Sequence, residues 1–190
     1  MSLNPAIPSA ESIARYFIYL AGRQRDPVPL TQMHLHKLLY YAQGWYLATR
    51  MKPLFADELQ AWRHGPVVAS VYPTFKHFGK DAITFDQGRE GKELTLDQRA
   101  VVESVWRRLR NRSAASLRNK THRESPWIEA RKGLGKNDPA RTAIPHESLR
   151  NHFGSLHVER CRKLGVDPVM FAESIAQAER GEGVDINLLN

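Results

Sequence analysis

The sequence predicts a mainly α fold: a compact single domain of seven or eight helices with at most a small two- or three-stranded β element. Three observations lead there. Apolar residues recur at three- and four-residue steps in several separate stretches, and Ser, Thr or Pro start signals precede most of them. No alternation of strands with helices of the kind that builds a parallel sheet occurs. At 190 residues, 42% of them hydrophobic, the chain can bury one sizeable core and is short for two domains.

Taken in order, Ser9 is a good N-cap, and Ile13, Tyr16, Phe17 and Leu20 then share one helical face. The two prolines between Arg23 and Pro29 mark a loop. Thr31 caps the most periodic helix, in which Leu35, Leu38, Leu39, Ala42, Trp45 and Tyr46 form a stripe wide enough for the middle of a core. Gly44 lacks a side chain beside Trp45, which suggests the close approach of another backbone. Lys52-Pro53 breaks the helix, and Leu59 to Arg63 alternates like a short strand. Gly65-Pro66 is expected to open a third helix with Val67, Val68, Val71, Tyr72, Phe75 and Phe78 inward, kinked or divided at Pro73 and ended by Gly79.

Ile83-Thr84-Phe85 reads as a second strand, paired with the one before Gly65. Thr95 to Gln98 is a capping box for a fourth helix, with Val101, Val102, Val105 and Leu109 inward and Arg99, Arg107, Arg108 and Arg110 mostly outward. Ser113 or Ser116 caps a short helix toward Thr121. Ser125-Pro126 starts another with Trp127, Ile128 and Ala130. Ile144-Pro145 opens one with Leu149 and Phe153 that Gly154 stops, and a last runs from Asp167-Pro168 to about Arg180.

The charge of +8 is uneven: twelve Lys or Arg stand against four Asp or Glu between Arg99 and Arg141, while the balance beyond Cys161 is acidic. Such a basic stretch suits a polyanion or an acidic protein surface, and equally a solvated helix face. No apolar run approaches the ~20 residues a membrane span needs, and the first residues carry no secretory pattern. A single cysteine leaves no internal disulfide, so a cytoplasmic protein is expected, with no membrane partner.

Motifs for catalysis are missing. No phosphate loop, dinucleotide fingerprint, nucleophile elbow or zinc-protease helix occurs, and no cofactor is expected. His34 and His36 point about 200° apart on a helix and cannot share an ion. His64 and His122 each precede a turn and could converge, yet two histidines without a placed carboxylate make a thin zinc site, so no metal is expected. His157 lies one helical turn before Cys161, a spacing more often fortuitous than catalytic. Trp62 and Trp127 also lie beside turns. Core packing is the commoner fate of tryptophan, but Trp-Arg-His at a turn is also the chemistry of interface anchors.

Several pieces in fixed order carry a family resemblance: Lys37-Leu38-Leu39-Tyr40-Tyr41-Ala42-Gln43-Gly44-Trp45, then Pro53-Leu54-Phe55-Ala56-Asp57 leading into Gln60-Ala61-Trp62-Arg63-His64-Gly65-Pro66-Val67-Val68. Val71-Tyr72 and Leu117…Thr121-His122…Ser125-Pro126-Trp127 follow. Together they resemble the Panacea-domain proteins, also described as SocA-like or phage-associated GepA-like proteins, over roughly residues 10–154. The resemblance implies a bacterial or phage-borne antitoxin paired with a toxin from the adjacent gene. It neutralises by direct binding or, in one branch, acts as an adaptor to an ATP-dependent protease. The lead-in His34-Leu35-His36 departs from the pattern, as does the chain beyond Phe153. Residues 1–154 are therefore expected to form the antitoxin domain and 155–190 a helical, partner-specific extension.

In physical terms Gly44, Gly65, Pro66, Ser125 and Pro126 are structural, needed for turns and close packing. Partner contacts are expected at Trp62, Arg63, His64, Arg107, Arg108, Arg110, His122 and Trp127. Competing functions are an operator-DNA regulator resting on the arginines from 107 to 123, and a metal-dependent hydrolase using His64 and His122.

Overall fold

A helix enclosed on every side organises the fold. The computed structural model describes residues 7–135 and 138–168. Among them α1 is Ala10–Gly22 and α2 is Gln32–Arg50. Thr31 caps α2 by accepting the His34 N–H at 3.3 Å, and Met51 ends it in the left-handed region at φ 55°. Every residue of α2 from 34 to 44 is buried. The expected stripe of Leu35, Leu38, Leu39, Ala42 and Tyr46 is one reason, and Lys37, Tyr40, Tyr41 and Gly44 make a second track at the same spacing. A helix covered on both faces belongs inside a fold.

α1 packs Ile13, Tyr16 and Phe17 against this centre, with Ser9 accepting the Ser12 N–H at 3.1 Å as its cap. α4 (Leu96–Leu109) adds Val102, Val105 and Trp106, and its capping box forms as expected: Gln98 N–H to Thr95 Oγ1 at 3.2 Å, Thr95 N–H to Gln98 Oε1 at 2.9 Å. α5 (Ala114–Thr121) is capped by Ser113. In α6 (Ser125–Ala130) the cap position is Glu124, so Ser125 is already helical and its hydroxyl meets His152 Nδ1 at 3.2 Å.

The most extensive helix–helix contact is between α2 and α7 (His146–Leu164). Phe153 of α7 drives its ring into the gap that Gly44 leaves. A Cβ on Gly44 would stand 2.2 Å from ring atom Cε2. Tyr40, Tyr41 and Trp45 present faces and edges to the same ring, at 5.5, 6.0 and 5.5 Å between centroids. The expected close neighbour of Gly44 is thus a phenyl group and not a backbone. Gln43 ties the next loop to this pair: its Oε1 accepts Leu54 N–H and its Nε2 donates to the Phe55 carbonyl, each at 2.9 Å.

The stretch after Arg63 departs from expectation. Gly65–Val68 is a strand, β2, antiparallel to β1 (Leu59–Trp62), with Trp62 opposite Gly65 and Arg63-His64 forming the turn. Gly65 adopts φ 94°, a hairpin conformation that L side chains resist. All four residues of β2 are buried, and pairing of the β-branched valines with Leu59 and Gln60 outweighs the Gly-Pro helix-start signal. The following helix is only α3 (Tyr72–Phe75), with Pro73 in its first turn where it causes no kink, then a 3-10 turn ending at Gly79.

Ile83-Thr84-Phe85 is not a strand. Ile83 N–H bonds the Leu30 carbonyl at 2.8 Å and Phe85–Gln87 is a 3-10 turn. The other edge of β1 is instead taken by residues 142–144, through Ala61 N–H to Thr142 O at 2.8 Å and Ile144 N–H to Leu59 O at 2.7 Å.

α7 also runs through Gly154 and ends at Gly165, which has φ 69°. One exposed-side glycine weakens a helix by only ~1 kcal/mol, and buried Leu149, Phe153 and Cys161 hold this one to the core. The helix expected from Asp167-Pro168 to Arg180 falls, past Pro168, outside the described residues. The architecture is mainly α, with seven α-helices and one two-stranded sheet among the described residues. None of these helices is long and apolar enough to cross a membrane.

Candidate functional site

Two turns meet over the N-terminal half of α2: the β1–β2 turn and the α5–α6 corner. Trp127 Nε1 donates to the Trp62 carbonyl at 3.0 Å, and Arg131 Nη1 to the Ala61 carbonyl at 3.1 Å. From below, Lys37 Nζ donates to the Pro66 carbonyl at 2.9 Å. Gly65 closes the joint, since a Cβ there would lie 2.6 Å from Lys37 Cε and 2.8 Å from Thr121 Oγ1. His122 stacks on Trp127 with centroids 4.0 Å apart and planes 14° from parallel. Trp62 is half-buried between Tyr72, at 4.8 Å, and the Arg141 guanidinium, 5.5 Å from its ring centre.

The electrostatics of this joint are one-sided. Lys37 is 1% exposed and Arg131 5%, yet among the described residues no carboxylate forms an ion pair with either. Carbonyl oxygens hold both: Arg131 Nη2 also reaches Gly135 O and Asp138 O at 3.0 and 2.8 Å, while the Trp127 ring lies 5.1 Å from its guanidinium carbon. Burial, with the Arg118 charge adding to it, pushes the Lys37 amine down to about 7. Burial and then the charges of Arg118, Lys37 and Arg131 take His122 down to about 4. His64 is lowered by burial and by Arg63, Arg118 and Lys37.

The nearby acid is engaged through one of its oxygens, while its Oε2 is buried with no hydrogen-bond partner. Glu124, 6% exposed, accepts Lys120 Nζ at 2.5 Å and the Tyr41 hydroxyl at 3.1 Å through Oε1. Burial first, and the Glu124 charge second, raise the Tyr40 and Tyr41 hydroxyls well above the usual tyrosine value.

Beside Lys37, His36 is 2% exposed and its Nδ1 accepts the Val68 N–H at 3.3 Å. Burial, then the Lys37 charge, hold it near 3. A ring kept neutral in the fold contributes stability fully above its unfolded pKa of ~6.5 and loses it as pH falls toward 3. At pH 5 the expected loss from His36 alone is about 2 kcal/mol. His36→Asn keeps an acceptor near Nδ1 and does not titrate, so urea midpoints measured from pH 8 to pH 5 should fall less steeply in the variant. Parallel slopes would refute this role for His36.

Chemically the joint offers cations and aromatic faces. Among the described residues no group of three or more His, Cys, Asp or Glu could hold a metal ion. The face of His122 is occupied by Trp127. Cys161 Sγ does lie 3.7 Å from His157 Nε2, but burial raises the thiol above its ordinary value, away from the reactive thiolate.

The model of the family described as "Antitoxin SocA-like, Panacea domain" matches residues 35–128, which include α2 from Leu35 onward, the hairpin and both turns of the joint. The chain is also 38% identical over 164 residues to Antitoxin SocA of Caulobacter vibrioides (strain NA1000 / CB15N), covering 80% of this chain and 86% of that protein. The chain belongs to the SocA-like Panacea-domain antitoxin family. No solved structure matches it.

Within this Panacea domain the residues expected to contact a partner fall in two places. Trp62, Arg63, His64, His122 and Trp127 come together at the joint, with Arg63 and His64 exposed at its rim and Trp127 largely in the core. Arg107, Arg108 and Arg110 lie elsewhere, at the end of α4. Burial and then Arg160 of α7 lower the Arg108 guanidinium, and Arg110 hydrogen-bonds Gln24. Of the structural residues, Gly44 and Gly65 fill tight contacts and Pro126 is buried beside Trp127.

Sequence reasoning missed Lys37, Arg118 and Arg131 as parts of the site. For Lys37 a signal existed, because it heads the track that continues through Tyr40, Tyr41 and Gly44. Arg131 gave none, since its burial depends on carbonyls brought in from β1 and from Gly135 and Asp138.

Proposed function

We propose that this chain is an antitoxin that neutralises a cognate protein toxin, encoded beside it, by direct contact, and that it works by binding and not by catalysis. The observation that carries the reading is the joint itself, which puts a half-buried Trp62 and the exposed Arg63 and His64 on one rigid turn. Trp and Arg on a preorganised support are the residue types that dominate binding energy at protein interfaces. Trp127 supports this surface from below through its bond to the Trp62 carbonyl. Membership of an antitoxin family supplies the class of partner.

The test is co-expression with the neighbouring gene, scoring growth and co-purification. Rescue of growth with a stable complex is expected, and Trp62→Ala or Arg63→Ala should weaken the complex about tenfold or more while leaving the thermal transition in place. Rescue without a complex, lost in a host lacking its ATP-dependent proteases, would replace direct neutralisation by the adaptor mode. A toxic neighbour left unaffected by this chain would sink the proposal.

A further inference from the structure

Positive groups from four elements converge on the joint, and among the described residues no carboxylate forms an ion pair with any of them. Lys37 comes from α2, Arg63 and His64 from the hairpin turn, Arg118 and His122 from the end of α5, and Arg131 from just beyond α6. The Arg118 charge acts on Lys37, His64 and His122 alike, and its guanidinium bonds only the Asn119 side chain, at 3.0 and 3.3 Å, among the described residues. Glu124, the acid of the α5–α6 corner, is bound to Lys120 and Tyr41.

We infer that the surface above Lys37, between the Arg63-His64 turn and the α5–α6 corner, is a carboxylate-binding site that takes an acidic side chain of the partner protein. Its occupant rests on the antitoxin reading; its chemistry does not. His64 is exposed and Arg118 half-exposed, so these two can contact the anion, while His122 lies behind them with its Nε2 buried and unpartnered. Lys37 and Arg131 are too deeply buried to touch it and act through their field, which low-dielectric surroundings focus on the gap. A nucleic acid fits less well, because it needs a track of exposed cations along successive phosphates. Here the cations gather at one joint, two of them beneath the surface, with half-buried Trp62 beside them. A carboxylate seated there favours the protonated imidazoles, so binding takes up protons. Because His122 titrates near 4, about where a glutamate side chain does, the tightening as pH falls is carried by His64 and ends where the carboxyl itself protonates.

The probe is acetyl-Gly-Glu-Gly-amide, with acetyl-Gly-Gln-Gly-amide and inorganic phosphate as comparisons, titrated into the full chain while the imidazole NMR signals of His64 and His122 are followed. The Glu peptide is expected to give saturable shifts on both rings and to raise the His122 midpoint, near 4 in the free protein, by about one pH unit. The Gln peptide should give no saturable shift. Arg118→Ala should weaken the response at least about threefold, as should Lys37→Met, which removes a charge that cannot touch the probe; Lys80→Ala should not. Absence of saturable shifts, equal responses to Glu and Gln peptides, or saturation by phosphate alone would overturn the site. If the peptide binds and toxin rescue fails, the carboxylate site stands and the antitoxin reading falls. If rescue and complex affinity are unchanged in Arg118→Ala, the assignment of a partner side chain to this site is overturned.

Discussion

Gly44→Ala should be among the most damaging single methyl additions to this chain. The new Cβ would meet three atoms of the Phe153 ring at 2.2, 2.3 and 2.7 Å, and that ring is fully buried among Tyr40, Tyr41 and Trp45. Overpacking usually destabilises by ~1–3 kcal/mol and sometimes more, whereas Ala in place of Gly gains at most ~1 kcal/mol in helix propensity. With overlap this deep, relief requires α7 to move off α2, so a net loss of about 3 kcal/mol or more is expected. Thermal and urea unfolding of Gly44→Ala, Phe153→Leu and the pair would measure it. The double variant should be more stable than the sum of the two singles allows, because the smaller side chain frees the space that alanine takes. A Gly44→Ala protein within about 0.5 kcal/mol of the parent would mean that the helices adjust without strain.

The second large effect is a gain. Lys37→Met should stabilise the domain near neutral pH, because an amine held near 7 must give up its proton or enter the core charged. The unfolded chain keeps the proton up to about 10.5, so between 7 and 10.5 it binds more protons than the fold does, and the stability of the parent rises with pH across that window. Below 7 the penalty is constant at its maximum. Above 10.5 it is gone, leaving only the bond to the Pro66 carbonyl that methionine cannot make. The advantage of the variant should therefore shrink by about 3 kcal/mol between pH 7 and pH 9.5, as read from paired urea titrations. A difference independent of pH would show that Lys37 titrates normally. A more stable variant that also loses partner binding would mean that the buried amine is retained for function at the fold's disadvantage.

What was legible in the sequence follows physical range. Caps are local, and Ser9, Thr31, the Thr95–Gln98 box and Ser113 all act at the expected positions. The stripe of α2 was equally readable. Features settled by distant partners were not. Gly65-Pro66 has the local signature of a helix start and becomes a strand because β1 lies opposite and Lys37 bonds the Pro66 carbonyl. Gly154 has the signature of a helix stop and is overridden by side chains that bury on α2. At the joint, aromatic and basic residues beside turns drew attention to Trp62, Arg63, His64, His122 and Trp127. Their meeting, and the lack of an ion-paired carboxylate for Lys37 and Arg131 among the described residues, exist only in three dimensions.

The seating of α7 on α2 also sets when this protein can become whole during its synthesis. Gln43 meets His146 across 103 positions of chain, and the Gly44 gap stays open until Phe153 arrives. Closing so long a loop is entropically slow compared with forming local helices. A nascent chain therefore carries α2 with one greasy side uncovered until α7 has cleared the ribosome. The domain cannot close until α7 has been made, so a chain cut short before α7 lacks the helix that covers α2.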